Sequence, residues 1–211
     1  MIEKAVVSTS DSYPSSPWRL EAAGHCSIWR LPARDIAQLA IPAGLQPFIF
    51  ARSAWVATGY IAYGPGGDLS YHELFLATPV RAGHRLTLTV VAIWVDSEAS
   101  LRGGRELWGI PKELARFETN ADGVEVLSAE GVLAQARFRP RWRWPLRVSF
   151  KVRVVQVTRE ALQYTPVVAT GRTTFGRAEW DFPSKGPFEI LHGRRPTLSF
   201  GLVNADVRFG A

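Results

Sequence analysis

Residues 86–95, LTLTVVAIWV, constrain the fold most. A strand with one wet face alternates apolar and polar residues. This run is β-branched and nearly all apolar, so it reads as a strand covered on both faces. A chain built around such a strand must supply two apolar layers. Other strand runs follow. Residues 53–63 (SAWVATGYIAY) end at Gly64-Pro65-Gly66-Gly67, a turn. Residues 71–80 (YHELFLATPV) form the next strand. Residues 123–127 and 132–138 read as strands joined by a turn around Glu130-Gly131. Residues 146–157, 172–180 and 197–209 alternate in part.

Helix signals are few. Residues 32–39 place Pro32 at a first helical position, with Ile36 and Leu39 on one side. Residues 97–107 begin with Ser97 as a candidate N-cap, and Gly103-Gly104 keeps any helix there short. A third short helix is expected over residues 112–117, after Pro111. Many strands with two or three short helices predict an α+β fold that is mainly antiparallel β.

Hydrophobic residues are 46% of the 211 and charged residues 21%, which excludes a disordered chain or a coiled coil. We expect one domain over residues 13–211, preceded by an N-terminal arm at 1–12. The only cysteine, Cys26, excludes an internal disulfide and a sulfur-ligated metal cluster. The four histidines are scattered without metal-ligand spacing. No cofactor is expected. The longest uncharged stretch, residues 36–51, is interrupted by Pro42, Gly44 and Pro47 and is too short for a membrane span. An acidic start without an apolar leader predicts a cytoplasmic location. The basic, aromatic tract at 137–147 (RFRPRWRWPLR) reads as a strand end, with Trp142 and Trp144 on one face and arginines on the other. With a net charge of only +6 and no accompanying motif, no nucleic-acid partner is expected.

Of the 25 Lys and Arg residues only Lys4, Lys112, Lys151 and Lys185 are lysines. Lys112 follows an unusually apolar approach, Leu107-Trp108-Gly109-Ile110-Pro111. Two readings stand. Lys112 opens a short helix and points into water, or it is held rigidly against apolar walls. Desolvation disfavours an ammonium, and a neutral amine attacks carbonyl carbon to form a Schiff base.

The run Gly104-Arg105-Glu106-Leu107-Trp108-Gly109-Ile110-Pro111-Lys112 resembles the active-site segment of acetoacetate decarboxylases. Tyr71-His72-Glu73, followed by Phe75 to Val80, resembles the family's Tyr-x-Glu strand. Tyr13 to Trp18 and Ile28-Trp29-Arg30 resemble the lead-in to its first long strand. The resemblance implies a closed β assembly around an apolar pocket, usually in a homo-oligomer. It implies Lys112 as the Schiff-base nucleophile and Glu73 as the pocket carboxylate. Arg105 and Glu106 would set the electrostatics, with Trp108 beside them, and the ligand would be a β-keto or related oxo acid. Two positions differ from the family. Glu113 stands where a second lysine usually follows the first. The arginine that binds a substrate carboxylate aligns with Ala22, or with Arg19 if a gap is allowed. These differences motivate an alternative, a non-catalytic or aldolase/dehydratase-type relative binding an apolar or oxo ligand in its barrel pocket.

Overall fold

A computed structural model describes residues 12–121, 123–158 and 161–211. The expected arm lies outside these residues except for Ser12. The chain runs β1 (Trp18–Pro32), a 3-10 helix (Ala33–Gln38), β2 (Gln46–Pro47), β3 (Ile49–Phe50), β4 (Ser53–Gly64), β5 (Tyr71–Ala82) and β6 (Arg85–Val95). Helix α1 (Glu98–Trp108) leads to β7 (Lys112–Leu114), β8 (Arg116–Thr119), β9 (Gly123–Ser128), β10 (Gly131–Val157) and β11 (Leu162–Asp181). A 3-10 turn at Glu189–Leu191 precedes β12 (Leu198–Phe209).

All twelve strands join one sheet in the order β7-β6-β5-β4-β1-β12-β11-β10-β9-β8, with β2 on β5 and β3 on β4. Neighbours are antiparallel except β6 with β7 and β6 with β10. The last contact, Val154 opposite Leu88, bends the sheet into a ring. Side chains secure the closure. Gln156 is buried and donates to the Val90 carbonyl at 3.0 Å. The Thr87 hydroxyl donates to the Arg153 carbonyl at 2.5 Å.

The double-faced strand is β6, and both its apolar layers are present. Trp94 packs outward with Trp29, Leu74, Leu76, Phe182 and Phe188. Ile93 and Val95 pack inward with Trp18, Leu20, Trp108 and Val207. Burial of apolar surface on both sides explains why this strand carries no charged residue after Arg85, its threonines being hydrogen-bonded to β10. The mainly antiparallel expectation agrees with the ladder.

Three sequence expectations change. Residues 112–117 are not a helix but β7 and the start of β8. Lys112 and Leu114 pair with Ile93 and Val95 along the open edge of β6, and the Ala115 N–H reaches the Val95 carbonyl at 2.9 Å. That edge satisfies the backbone, whereas an isolated six-residue helix is marginal. Residues 33–38 are helical but of the 3-10 type, closed by Leu39 N–H to Ile36 carbonyl at 3.1 Å. Residues 132–138 and 146–157 belong to one strand, β10. Its register shifts at Pro140/Trp142 and Arg143/Arg147 accommodate the prolines, which cannot donate to a regular ladder. Trp142 and Trp144 do meet, edge to face at 5.1 Å, and both are exposed.

Helix α1 lies across the inner layer through its glycine pair. A Cβ at Gly103 would stand 2.4 Å from Trp18 Cζ2. Gly103→Ala therefore overpacks the site and is expected to cost about 1–3 kcal/mol. Urea unfolding measures this, and an unchanged midpoint would contradict the close helix–Trp18 packing.

Candidate active site

The site begins with how α1 starts and stops. Ser97 caps the helix, its hydroxyl accepting from the Ser100 N–H at 3.3 Å. At the other end Gly109 adopts φ +66°, a left-handed conformation that glycine takes without a Cβ penalty. Its N–H returns to the Arg105 carbonyl at 3.0 Å, and the Ile110 N–H returns to the Gly104 carbonyl at 3.0 Å. Pro111 continues the reversal, and the Lys112 N–H closes on the Ile110 carbonyl at 2.8 Å. The apolar approach thus folds Lys112 back beneath the helix it follows. A Cβ at Gly104 would stand 2.6 Å from Lys112 Cδ, so the helix leaves a groove for the lysine arm.

The Lys112 side chain is buried, with the residue 3% exposed. Its Nζ lies 2.8 Å from Ser100 Oγ, 3.0 Å from Glu73 Oε2 and 3.4 Å from Tyr71 OH. It also sits 4.9 Å from the Tyr71 ring centroid and 5.9 Å from that of Trp18. Glu73 is 8% exposed and receives a second hydrogen bond from Tyr63 OH at 3.3 Å. An ammonium taken from water needs a partner and further hydrogen bonds, and this one has both. Tyr71 and Glu73 are two residues apart on β5 and share a face, while His72 points away to Asp96 at 2.7 Å.

These groups form one end of a cavity of about 380 Å³ enclosed by the ring. Apart from Lys112, Glu73, Tyr63, Tyr71 and Cys26, its lining is apolar or glycine. Trp108 lines it, 4.6 Å from Trp18 and 4.5 Å from Phe209 between ring centroids. Arg105 and Glu106 are exposed on the far side of the helix. Arg105 Nε donates to the Lys112 carbonyl at 2.7 Å, so it grips the backbone rather than facing the amine. Glu106 accepts from the Tyr13 hydroxyl, tying the lead-in segment to α1. Glu113 is exposed on β7, opposite in face to Lys112. Ala22 lines the cavity, whereas Arg19 is exposed on the other face of β1. Among the described lining residues, Lys112 is the only cation. Among the described residues no group of three or more His, Cys, Asp or Glu side chains is placed to hold a metal ion.

Ser100 and Tyr63 are partners that sequence reasoning did not single out, and Tyr71 was named only as part of the Tyr-x-Glu strand. The Tyr-x-Glu spacing places Tyr71 beside Glu73. Ser100 carries no such mark, because its position depends on the fold of residues 104–112. Burial, with the Glu73 charge, pushes the Tyr63 and Tyr71 phenols well above their ordinary range. Burial likewise pushes the Cys26 thiol up to about 12 from 9.0. The folded chain keeps protons that the unfolded chain releases, so stability is full below pH 9 and falls as pH rises beyond it. Denaturation midpoints between pH 7 and about 11 test this; a midpoint constant or rising across that interval would contradict it.

Comparison with known proteins bears on this arrangement. The family described as acetoacetate decarboxylase matches residues 8–170. An acetoacetate decarboxylase of Ralstonia nicotianae is 31% identical over 122 residues, 54% of this chain and 46% of that protein. Acetoacetate decarboxylase 3 of Mesorhizobium japonicum is 31% identical over 125 residues, 56% of this chain and 45% of that protein. The alignments thus span about half the length of these curated relatives. The solved acetoacetate decarboxylase of Legionella pneumophila has the same fold, with TM-score 0.66 and 18% identity over 93% of this chain and 86% of that one. The enduracididine biosynthesis enzyme MppR, complexed with the condensation product of pyruvate and imidazole 4-carboxaldehyde, matches with TM-score 0.59 and 14% identity over 94% and 87%. By the extent of the family match and the folded site it covers, this chain belongs to the acetoacetate decarboxylase family.

Proposed function

We propose that the chain is a lyase that forms a Schiff base through Lys112 with a β-keto or related oxo acid. The observation that supports this most is the buried Lys112 amine, held 3.0 Å from Glu73 at the end of an apolar cavity. In this reading Glu73 takes a proton from the ammonium, and the free amine adds to the ketone carbon. The carbinolamine hydroxyl takes a proton from solvent and leaves as water, giving a protonated imine. The bond to the carboxylate carbon then breaks, its electron pair enters the imine, and carbon dioxide leaves. Glu73 returns a proton to the resulting enamine carbon. Water hydrolyses the imine, releasing the ketone and restoring the lysine. Ser100 and Tyr71 position Nζ, Arg105 holds the Lys112 backbone, and Trp108 walls the pocket. Glu106 acts at a distance by anchoring the lead-in.

A second reading belongs to the aldolase or dehydratase type, or to a non-catalytic binder of an apolar ligand. It draws support from the absence of arginine among the described lining residues. Under that reading no carbon dioxide is released. For the assembly we propose a homo-oligomer in the cytoplasm. Trp142, Leu146 and Leu198 are exposed apolar residues that a subunit contact would cover. No helix among the described residues is long and apolar enough to cross a membrane.

Borohydride reduction in the presence of oxo acids, followed by peptide mapping, tests the reading. The expected label is on Lys112 alone and is lost in Lys112→Ala. Label on Lys151 or Lys185, or none across a broad oxo-acid set, would sink it. Glu73→Gln keeps the shape but removes the proton acceptor, and kcat should fall by about 10²–10⁴. A Glu73→Gln enzyme with wild-type kcat would take Glu73 out of the chemistry. Gly104→Ala displaces the lysine arm and should lower kcat at least tenfold without unfolding the protein, as judged by circular dichroism; unchanged kcat would contradict the packing.

A further inference from the structure

The cavity is larger than a small oxo acid requires. At about 30 Å³ for each water-sized group, it holds about a dozen non-hydrogen atoms. Its polar groups are not dispersed. Tyr63, Tyr71, Glu73 and Lys112 gather at one end, and the rest of the lining is apolar or glycine except the Cys26 thiol, a weak hydrogen-bonding group at the level of Phe75. Phe75 and Ala77 follow Glu73 on the same face of β5. At about 3.3 Å per residue, Ala77 lies about 13 Å further along the strand than Glu73. Ala77 pairs with Ala57, so two small side chains leave room at this level of the cavity.

The opening is at that far end. Strand β10 runs parallel to β6 with Val154 at the level of Leu88, so Val152 and Phe150 lie progressively farther from Lys112. Along this face exposure rises from 7% at Val154 to 42% at Val152 and 40% at Phe150. All three line the cavity. A molecule that enters past Phe150 meets apolar walls first and the amine last.

We infer that the substrate is a medium-chain carbonyl compound. Its carbonyl sits at Lys112, and its extended apolar tail trails past Phe75 and the Ala57–Ala77 pair toward the opening. The tail's length discriminates between substrates, because each buried methylene adds hydrophobic transfer energy and the far portion offers no polar partner. The position of the carbonyl rests on the Schiff-base reading; the seat of the tail does not.

Steady-state turnover of 3-oxobutanoate and 3-oxodecanoate tests this. The longer acid should have a kcat/KM about a hundredfold higher or more. Ala77→Leu and, separately, Ala57→Leu should each lower the long-to-short ratio at least tenfold. Trapping on Lys112 with equal kcat/KM for both acids would overturn the tail while leaving the Schiff base intact. Calorimetric titration with 2-nonanone, on wild type and Lys112→Ala, separates the opposite case. Binding of 2-nonanone without turnover or trapping of either acid would support the tail and sink the Schiff base. No heat of binding with 2-nonanone, in either protein, would overturn the inference.

Discussion

One ammonium in an apolar cavity sets the terms for the rest of the site. Removing a charge from water costs several kcal/mol, and the cost is met only where a counter-charge and hydrogen bonds are fixed in place. Lys112 has Glu73 at 3.0 Å and Ser100 at 2.8 Å. Each partner comes from a different element: Glu73 from β5, Ser100 from α1 and Lys112 from β7. The ion pair therefore depends on the sheet edge, the helix and the Gly109–Pro111 reversal being built together. Breaking such a pair from one side costs about 3–5 kcal/mol, so the same contacts that hold the amine also restrict the fold.

The ring supplies the cavity, and the outer layer supplies its rigidity. Trp29, Leu74, Leu76 and Trp94 are buried behind the strands whose inner faces carry the site. Packing on the outside holds β5 and β6 while their inner faces remain lined but unfilled. Closure at Val154 and Leu88 rests on a short backbone pairing, and the buried Gln156 adds a hydrogen bond there. The apolar interior has a chemical consequence. Among the described lining residues it leaves Lys112 as the only cation, so a Schiff base on Lys112 would form beside a single carboxylate in a largely apolar space.

Much of this was legible from short-range pattern. The covering of β6 on both faces follows from its lost alternation. The shared face of Tyr71 and Glu73 follows from their spacing. The approach to Lys112 follows from Gly109 and Pro111, whose conformations are locally determined. What was not legible depends on partners distant in sequence. Residues 112–117 became strand because β6 offered an edge. Residues 139–146 stayed in β10 because bulges absorbed two prolines. Ser100 is an ordinary first-turn serine until the chain reversal brings Lys112 over it. The resemblance implies Arg105 and Glu106 in the site's electrostatics, and their backbone and segment-anchoring contacts depend on the fold. Arg19 faces away because β1 alternates, whereas Ala22 faces inward.

The central claim is that the substrate carbonyl becomes covalently bound to Lys112. Formation of an imine expels the carbonyl oxygen as water, and hydrolysis restores an oxygen from solvent. Turnover in water enriched in oxygen-18, quenched faster than the free ketone exchanges, measures this directly. The account predicts one solvent oxygen in the carbonyl of every ketone released by the wild-type protein. Product that retains the substrate's original carbonyl oxygen would contradict it.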